Sequence, residues 1–236
     1  MINALKNLAL NAIGERVRGI TGSTASLDDF ALPKGDVGLF GPDSVAWQVH
    51  ADFTAMMVGG LSSLIVQSLH PRALAAVWDH SDFRHKLKER LGRTAYFVAA
   101  TTYGGEAMAL NAIRRVNTIH ASIRGVDLQG QPYVANEPEL IRWVHMVEVT
   151  SFLAAYQHLA KQPLSPQECD KYICEMNRVA CLLGAVNLPS TYLTTQRELL
   201  SFADKLSFDG RAQEILQIIK AYPVKFLDKP WLALIL

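Results

Sequence analysis

RRVNTIHASIRG, residues 114–125, is the stretch that decides the fold class of this chain. Wound at about 100° per residue, it places Val116, His120 and Ile123 on one face and its polar side chains on the opposite face. Arg124 follows one turn later, near the same face as the histidine. The pattern predicts an amphipathic helix, ended by Gly125, with a histidine in its apolar stripe.

An imidazole that faces a protein core needs a partner. It can hydrogen-bond to a backbone carbonyl, bind a metal or take part in chemistry, because unpaired ring nitrogens cost about 1–3 kcal/mol. Arg124 would also need an anionic partner, since burying an isolated charge is costly. The residues leave open whether His120 is a bonded core histidine or a ligand, but the pair suits an anionic metal cofactor.

The rest of the chain is also divided into helical segments. No run of alternating β-branched residues is long enough to predict a sheet, and the only hairpin signal is a turn at Gly130 and Pro132. Asn136 and Ser165 each precede a glutamate by three residues, which predicts two helix starts. The sequence therefore predicts an all-α fold in a single domain over residues 1–236. The other predicted helices cover about 2–20, a turn from 42, 55–69, 71–80, 83–101, 137–160, 166–183, 196–206 and 210–221, with 2–20 and 196–236 peripheral.

Composition narrows the function classes. The 236 residues are 50% hydrophobic and 19% charged with a net charge of +1, which predicts an ordered globular protein without the basic surface of a nucleic-acid binder. The longest apolar run, residues 55–69, is interrupted by polar side chains, so we expect no membrane span. The first 20 residues lack a signal-peptide pattern, which predicts a cytoplasmic protein. Three cysteines without a CxxC pair predict neither a disulfide framework nor a zinc site, and we expect them in the core.

A second group of candidate residues precedes the histidine helix. Arg90 and Thr94 are four residues apart and share a helix face, with Arg93 beside them. Their guanidinium and hydroxyl groups could converge on one anion or bound oxygen. The alternative is a solvated basic patch, because Lys86 and Lys88 belong to the same run of charges. The position of Thr94 on the apolar stripe favours the anion site.

Glu148 is the third candidate, because its helix places it on an apolar arc with Val144 and Val147. A carboxylate there is protonated, paired with an arginine or available as a base, and we favour an ion pair with an inward arginine. The other histidines show no spacing typical of a dinuclear iron bundle. No phosphate-binding loop, nucleophile elbow or HExxH motif is present, so the sequence favours neither a nucleotide-binding protein nor a hydrolase.

Seven segments together resemble one known family. Between Phe40 and Tyr172 the chain contains, in order, GPDSVAWQVH, LHPRALAAVWDHSDF, RLGRTAYFVAATTYG, RRVNTIHASIRGVD, QPYVANEPELIRWVH, the stretch from Glu148 to Tyr156, and PLSPQECDKY. Their succession resembles the catalytic domain shared by the MpaB-type oxygenases and the rubber oxygenases, in a short bacterial form. The resemblance implies globin-like helical packing around a haem pocket, haem b with its iron as cofactor, and cleavage of carbon–carbon double bonds of isoprenoid chains with dioxygen.

The resemblance also implies roles for individual residues. His120 and Arg124 match the family's axial histidine and the arginine four residues after it, so His120 would bind the iron. Arg90, Arg93 and Thr94 match a distal Arg-x-x-Lys-Thr segment, with arginine in place of lysine. An arginine cannot ligate iron as a neutral amine, which implies an open or water-bound distal position. Arg90 and Arg124 would pair with propionates, and Arg93 and Thr94 would donate hydrogen bonds on the distal side.

We therefore expect a haem b-dependent oxygenase-like oxidoreductase that acts on a small apolar unsaturated substrate, isoprenoid- or lipid-like. Glu148 would orient a ligand or an arginine. The sequence leaves open whether the protein forms a homo-oligomer in which a second subunit covers the site. The alternative is a helical protein of the same fold without haem, which binds an apolar ligand or serves as an interaction domain. In that alternative, His120 bonds a carbonyl and Arg124 pairs with Glu148.

Overall fold

The computed structural model describes residue 30 and residues 33–221. The helix predicted over residues 2–20 and the chain beyond residue 221 lie outside these residues, so the single domain over the whole chain stays a prediction. The described part forms nine α-helices, one 3₁₀ turn and one two-stranded sheet, which confirms the all-α fold. The globin-like packing stays a prediction.

The elements are numbered in chain order. They are α1 (Val45–Ala51), α2 (Phe53–Gln67), α3 (Pro71–His80), α4 (Leu87–Tyr103), α5 (Glu106–Ser122), β1 (Arg124–Val126), β2 (Pro132–Val134), α6 (Pro138–Leu159), α7 (Pro166–Leu183), α8 (Tyr192–Leu200), a 3₁₀ turn (Ala203–Lys205) and α9 (Gly210–Ala221). The bounds of α3, α7 and α9 are those that the sequence predicts. The capping box predicted at the start of α7 is also present, with Glu168 bonded to Ser165. The other predicted start is wrong by one residue, because Glu137 rather than Asn136 is the cap of α6.

α4 begins at Leu87, four residues later than predicted. Residues 82–86 form a turn instead, in which the backbone N–H of Lys86 donates to the carbonyl of Asp82 at 2.8 Å. The carboxylate of Asp82 also bonds the ring of His85 at 2.8 Å. Local bonds of this kind favour a turn over a helix, so the aspartate delays the start of α4.

α5 ends at Ser122, so Arg124 does not lie on the helix that carries His120. It begins β1 instead, which pairs antiparallel with β2 in the register Arg124↔Val134, and the predicted hairpin is present. Gly125 lies in this strand rather than ending the helix. A Cβ atom at Gly125 would lie 2.6 Å from the hydroxyl of Tyr133, so only glycine fits against this buried ring.

α8 begins at Tyr192, four residues earlier than predicted. Its cap is Thr191, whose hydroxyl accepts from the backbone N–H of Thr194 at 3.1 Å. Thr194 returns a bond to the backbone of Thr191. Thr194 thus takes the position that glutamate or glutamine holds in the usual capping box. The sequence pattern for a capping box requires one of those two residues, so it does not predict this helix start.

The centre of the fold is the packing of α2 against α6, the most extensive contact between two elements in the described residues. A Cβ atom at Gly59 would lie 2.8 Å from the Cα atom of Phe152, so the two helix backbones approach closely there. Trp143 and Leu153 on α6 are almost fully buried. Burying such a side chain stabilises the fold by roughly 1.5–3 kcal/mol.

A second helix pair faces this centre. α4 and α5 are joined by two residues and pack along each other, which places the start of α4 beside the end of α5. Direct backbone packing between this pair and the α2–α6 pair is sparse, whereas α1 contacts α2, α4 and α6. The fold therefore holds two closely packed helix pairs with few backbone contacts between them.

Two expectations from composition have different outcomes. Cys169 is buried as predicted, but Cys174 and Cys181 are exposed, because they lie on the outer face of α7.

Among the helices from residue 33 to 221, no single one is long and apolar enough to cross a membrane. α1 and α2, bent by 90° relative to each other, meet the length and composition criteria together.

Candidate functional site

His120 lies in the last turn of α5, on the same face as the buried side chains of Ala109 and Ile113. Its ring is half-buried, and its Nδ1 atom is enclosed without a hydrogen-bond partner among the described residues. No carbonyl of residues 33–221 bonds the ring, in contrast to the alternative of a bonded core histidine. The structure thus places an inward imidazole with an unsatisfied ring nitrogen at this position.

Arg90 brings a positive charge to the same end of the helix pair. It lies in the first turn of α4, and its Nη1 donates to the Oγ atom of Ser81 at 3.1 Å. No carboxylate of the described residues lies within ion-pair distance of it. Burial, with the nearby charge of Arg93, lowers the pKa of Arg90 to about 10. Arg90 is therefore an enclosed cation without an anion.

Burial and the charge of Arg90 both lower the pKa of His120. The imidazole is accordingly neutral at pH 7, which is the form that binds a metal ion. Arg90 at the start of α4 and His120 at the end of α5 lie at the same end of the helix pair because the two helices run in opposite directions, and the charge of Arg90 acts on the ring. This juxtaposition is the core of the candidate site.

The other residues expected at this site lie differently. Arg124 is exposed, and its Nη2 donates to the carbonyl of Ala121 at 3.1 Å. Arg93 is also exposed. Thr94 shares a stripe of α4 with Leu87 and Thr101, which are buried, yet Thr94 itself is exposed. The middle of this stripe is therefore exposed in the described structure.

A cavity of about 60 Å³ adjoins Arg90. It lies between α2, α3, α4, α6 and α9, and Arg90 is the one charged residue among the described residues of its wall. The wall consists of Leu64, Gln67, Ser68, Ala73, Leu74, Val77, Phe83, Leu87, Arg90, Val144, Ile215, Ile218 and Ile219. An apolar cavity next to an enclosed cation is suited to a ligand with an aliphatic part and an anionic group.

Glu148 has no arginine partner in the described part of the chain, so the favoured ion pair is wrong. The nearest candidate on its own helix, Arg142, binds Glu198 at 2.6 Å, and Arg124 is held elsewhere. Burial raises the pKa of Glu148 to about 7. Its carboxyl group can therefore be protonated or ionised close to neutral pH.

A buried chain of hydrogen bonds was not predicted from the sequence. The Nδ1 atom of His50 lies 2.7 Å from the hydroxyl of Thr102, and its Nε2 atom lies 3.0 Å from the hydroxyl of Tyr172. Burial lowers the pKa of His50 to about 3, so the ring is neutral. Burial and then the charge of Glu148 raise the pKa of Tyr172, which places Glu148 close to this chain. The three bonded residues lie on α1, α4 and α7. Because they come from three helices, the spacing of residues within one helix does not predict such a group.

Two further histidines are buried away from His120. Both ring nitrogens of His70 lack a partner among the described residues, and its ring packs against those of Trp143 and Phe202, which also contact each other. His145 bonds the side chain of Asn177 at 2.9 Å. Burial lowers the pKa of each histidine to about 4. Neither belongs to a group of three or more metal-ligating side chains in the described part of the chain.

The fit of a cofactor can be tested on these residues. No group of three or more histidine, cysteine, aspartate or glutamate side chains in the described residues could hold a metal ion alone. A haem iron needs only one protein ligand, and its propionates need cations. The neutral His120 with an unsatisfied Nδ1 atom and Arg90 without a carboxylate fit these two needs. The charge of Arg93 acts on Arg90, but the side chains of Arg93 and Arg124 are exposed in this structure.

Comparison with protein families agrees with the resemblance noted in the sequence. Residues 47–235 match the family described as "ER-bound oxygenase mpaB/B'/Rubber oxygenase, catalytic domain". Every candidate residue named above lies inside the matched range. Neither the curated proteins nor the solved structures gave a match. Because the matched range covers most of the chain, the protein belongs to the mpaB and rubber oxygenase catalytic-domain family.

Proposed function

We propose that this protein is a haem b-dependent oxygenase-like oxidoreductase that acts on a small apolar unsaturated compound, isoprenoid- or lipid-like. The family supports an oxygenase, and the choice of haem rests on one observation in the structure. His120 presents a neutral imidazole with an enclosed, unsatisfied nitrogen beside a cation that has no anion. Leaving both groups without partners is costly; an iron cofactor would satisfy the imidazole, and an anionic group of the cofactor or of the substrate would satisfy the guanidinium.

Haem b, when bound, supplies an iron centre that activates dioxygen. His120 would be its protein ligand. Arg90 would hold an anionic group of the cofactor or of the substrate, and its charge adds to burial in lowering the pKa of His120. Thr94, on the same stripe of α4 as the buried Leu87, is exposed and would be accessible to a bound group.

The remaining residues of the site exclude water and hold a proton. Leu64 and Val144, which line the cavity at Arg90, present only hydrocarbon to a bound ligand. The carboxyl group of Glu148 can hold or release a proton near pH 7. The carboxyl group of Glu148 lies close to the hydroxyl of Tyr172, which forms one side of its surroundings. We place Glu148 as the proton-exchanging group of the proposed site, and contacts of Arg93 and Arg124 with the bound ligand stay predictions.

Titration of the purified protein with haemin tests the proposal. We expect a Soret band that saturates at one haem per chain in the wild-type protein and in His158→Ala, because His158 is an exposed histidine in the last turn of α6. His120→Ala should lose the band while its far-ultraviolet circular dichroism stays that of the wild type. Oxygen uptake with an unsaturated isoprenoid alcohol, and none with its saturated analogue, would then support the oxygenase.

Two results would contradict the proposal. A wild-type protein that gives no saturable Soret band does not bind haem through this site. A band of equal intensity in His120→Ala would place the iron on another residue. A colourless protein that retains an apolar molecule in native mass spectrometry would favour the ligand-binding alternative.

A further inference from the structure

The cavity beside Arg90 has a simple chemical composition. Leu74, Leu87, Val144, Ile215 and Ile219 supply an aliphatic wall, and Arg90 supplies the charge. At about 60 Å³ the cavity is far smaller than the roughly 300–1,000 Å³ of sites that hold a whole cofactor. It can take a short alkyl segment, but it is too small for a porphyrin.

Most of the free hydrogen-bond donors in the described wall belong to Arg90. The side-chain amide of Gln67 uses one of its two N–H groups to donate to the hydroxyl of Ser63 at 3.0 Å. The hydroxyl of Ser68 donates to the carbonyl of Ile65 at 2.6 Å. Arg90 uses one N–H on Ser81, and the structure gives its other N–H groups no acceptor among the described residues. A guanidinium carries five donors in a planar fork that matches a carboxylate.

We propose that this cavity binds the carboxylate group and the adjoining aliphatic carbons of an organic acid, so that the substrate is an unsaturated aliphatic carboxylic acid. This inference deepens the proposed function, on which it rests for the reaction but not for the binding of the acid. The carboxylate pairs with the fork of Arg90, and the alkyl carbons lie against Leu74 and Ile215. A haem propionate is the other source of a carboxylate, but its porphyrin ring cannot follow it into this space.

Calorimetry on the haem-free, full-length protein tests the inference with 3-methylbut-2-enoate and its neutral analogue 3-methylbut-2-enol. We expect the acid to bind about tenfold or more tightly than the alcohol, since a charge-assisted bidentate pair is the stronger contact. Arg90→Gln should remove this preference, and Arg115→Gln, an exposed arginine on α5, should leave it unchanged. Ile215→Phe should weaken the binding of both compounds by filling the cavity.

Equal binding of acid and alcohol by the wild-type protein would overturn the inference, as would an acid preference that survives Arg90→Gln. Thermal melts check that each variant folds, and Arg90→Lys, which keeps the charge, should retain part of the preference. The dimethyl ester of haem, which has no free carboxylates, distinguishes a carboxylate of the organic acid from a haem propionate. If Arg90 binds a propionate instead, the wild-type protein binds haem b more tightly than the ester, and Arg90→Gln removes this difference. Haem b would then also prevent the acid from binding. Failure of haem to bind at all removes the proposed function, but it leaves the acid measurement intact.

Discussion

Arg90, in the first turn of α4, places its positive charge beside the ring of His120 in the last turn of α5. Neither residue has an ion-pair partner among the described residues, and burial acts on both. A neutral imidazole and an unpaired guanidinium are thus held together by the geometry of one helix pair. The proposed haem site depends on the closeness of these two side chains.

Removing the charge of Arg90 should raise the pKa of His120. In Arg90→Gln the electrostatic contribution disappears while burial of the ring remains, so the pKa should rise without exceeding its ordinary value. NMR titration of the His120 ring in the haem-free protein measures the shift. Arg115→Gln on the exposed face of α5 serves as the control. An unchanged His120 pKa in Arg90→Gln would show that the two side chains do not interact.

Glu148 should make the stability of the protein depend on pH. Its pKa is raised to about 7 in the folded state from 4.5, so the folded state binds the proton more tightly than the unfolded state does. The cost of ionising it grows as the pH rises from about 4.5 and is complete above about 7, where it reaches roughly 3 kcal/mol.

Glu148→Gln should therefore stabilise the protein at pH 8 by up to about 3 kcal/mol and change its stability little at pH 4.5. Urea unfolding at the two pH values measures the difference. Glu214→Gln, an exposed glutamate on α9, should show no such dependence. If Glu148→Gln changed the free energy of unfolding by the same amount at both pH values, the carboxyl group of Glu148 would ionise normally.

The bond between His50 and Thr102 should contribute measurably to stability. Thr102→Val keeps the shape of the side chain but leaves the Nδ1 atom of His50 buried without its 2.7 Å partner, which should cost about 1–3 kcal/mol. Thr101→Val is a matched control on the neighbouring residue. Thr101 is equally buried, but its hydroxyl bonds carbonyls of its own helix at 2.9 and 3.2 Å. Equal destabilisation by the two substitutions, measured by urea unfolding, would argue against the chain through His50.

The close approach of α2 and α6 can be tested with two adjacent glycines. Gly59→Ala would place a Cβ atom 2.8 Å from the Cα atom of Phe152, and the forced separation should cost about 1–3 kcal/mol. At Gly60 the same atom would meet the ring of Phe152 at 3.6 Å, an ordinary contact. Gly60→Ala should therefore be neutral or stabilise the helix by up to about 1 kcal/mol. Thermal unfolding that ranks the two variants in the reverse order would contradict this packing.

Helical periodicity predicts features that lie within one element. The stripe of α5 shows His120 facing inward because the residues that share its face lie three and four positions apart. The starts of α3 and α7 follow from Pro71 and from the Ser165 cap in the same way. Such signals depend on neighbours in the chain, and the sequence alone contains them.

Periodicity does not predict contacts between elements. The partners of His50 lie 52 and 122 residues away, and only the packing of three helices brings them together. The expected partner of Glu148 was wrong for the same reason, since the position of an arginine relative to α6 depends on tertiary structure. Arg124 was misplaced because the hairpin begins two residues after α5 ends, and a helix end is difficult to locate without its cap.

Chemical rescue of His120→Gly by free imidazole is the most direct test of the central claim, that His120 is the protein ligand of a haem iron. The full-length variant is mixed with haemin and titrated with imidazole, while the Soret region is recorded against the wild-type protein. The account predicts that the variant lacks the wild-type band and regains it as imidazole fills the space of the missing ring. A wild-type band in His120→Gly before imidazole is added would contradict the account.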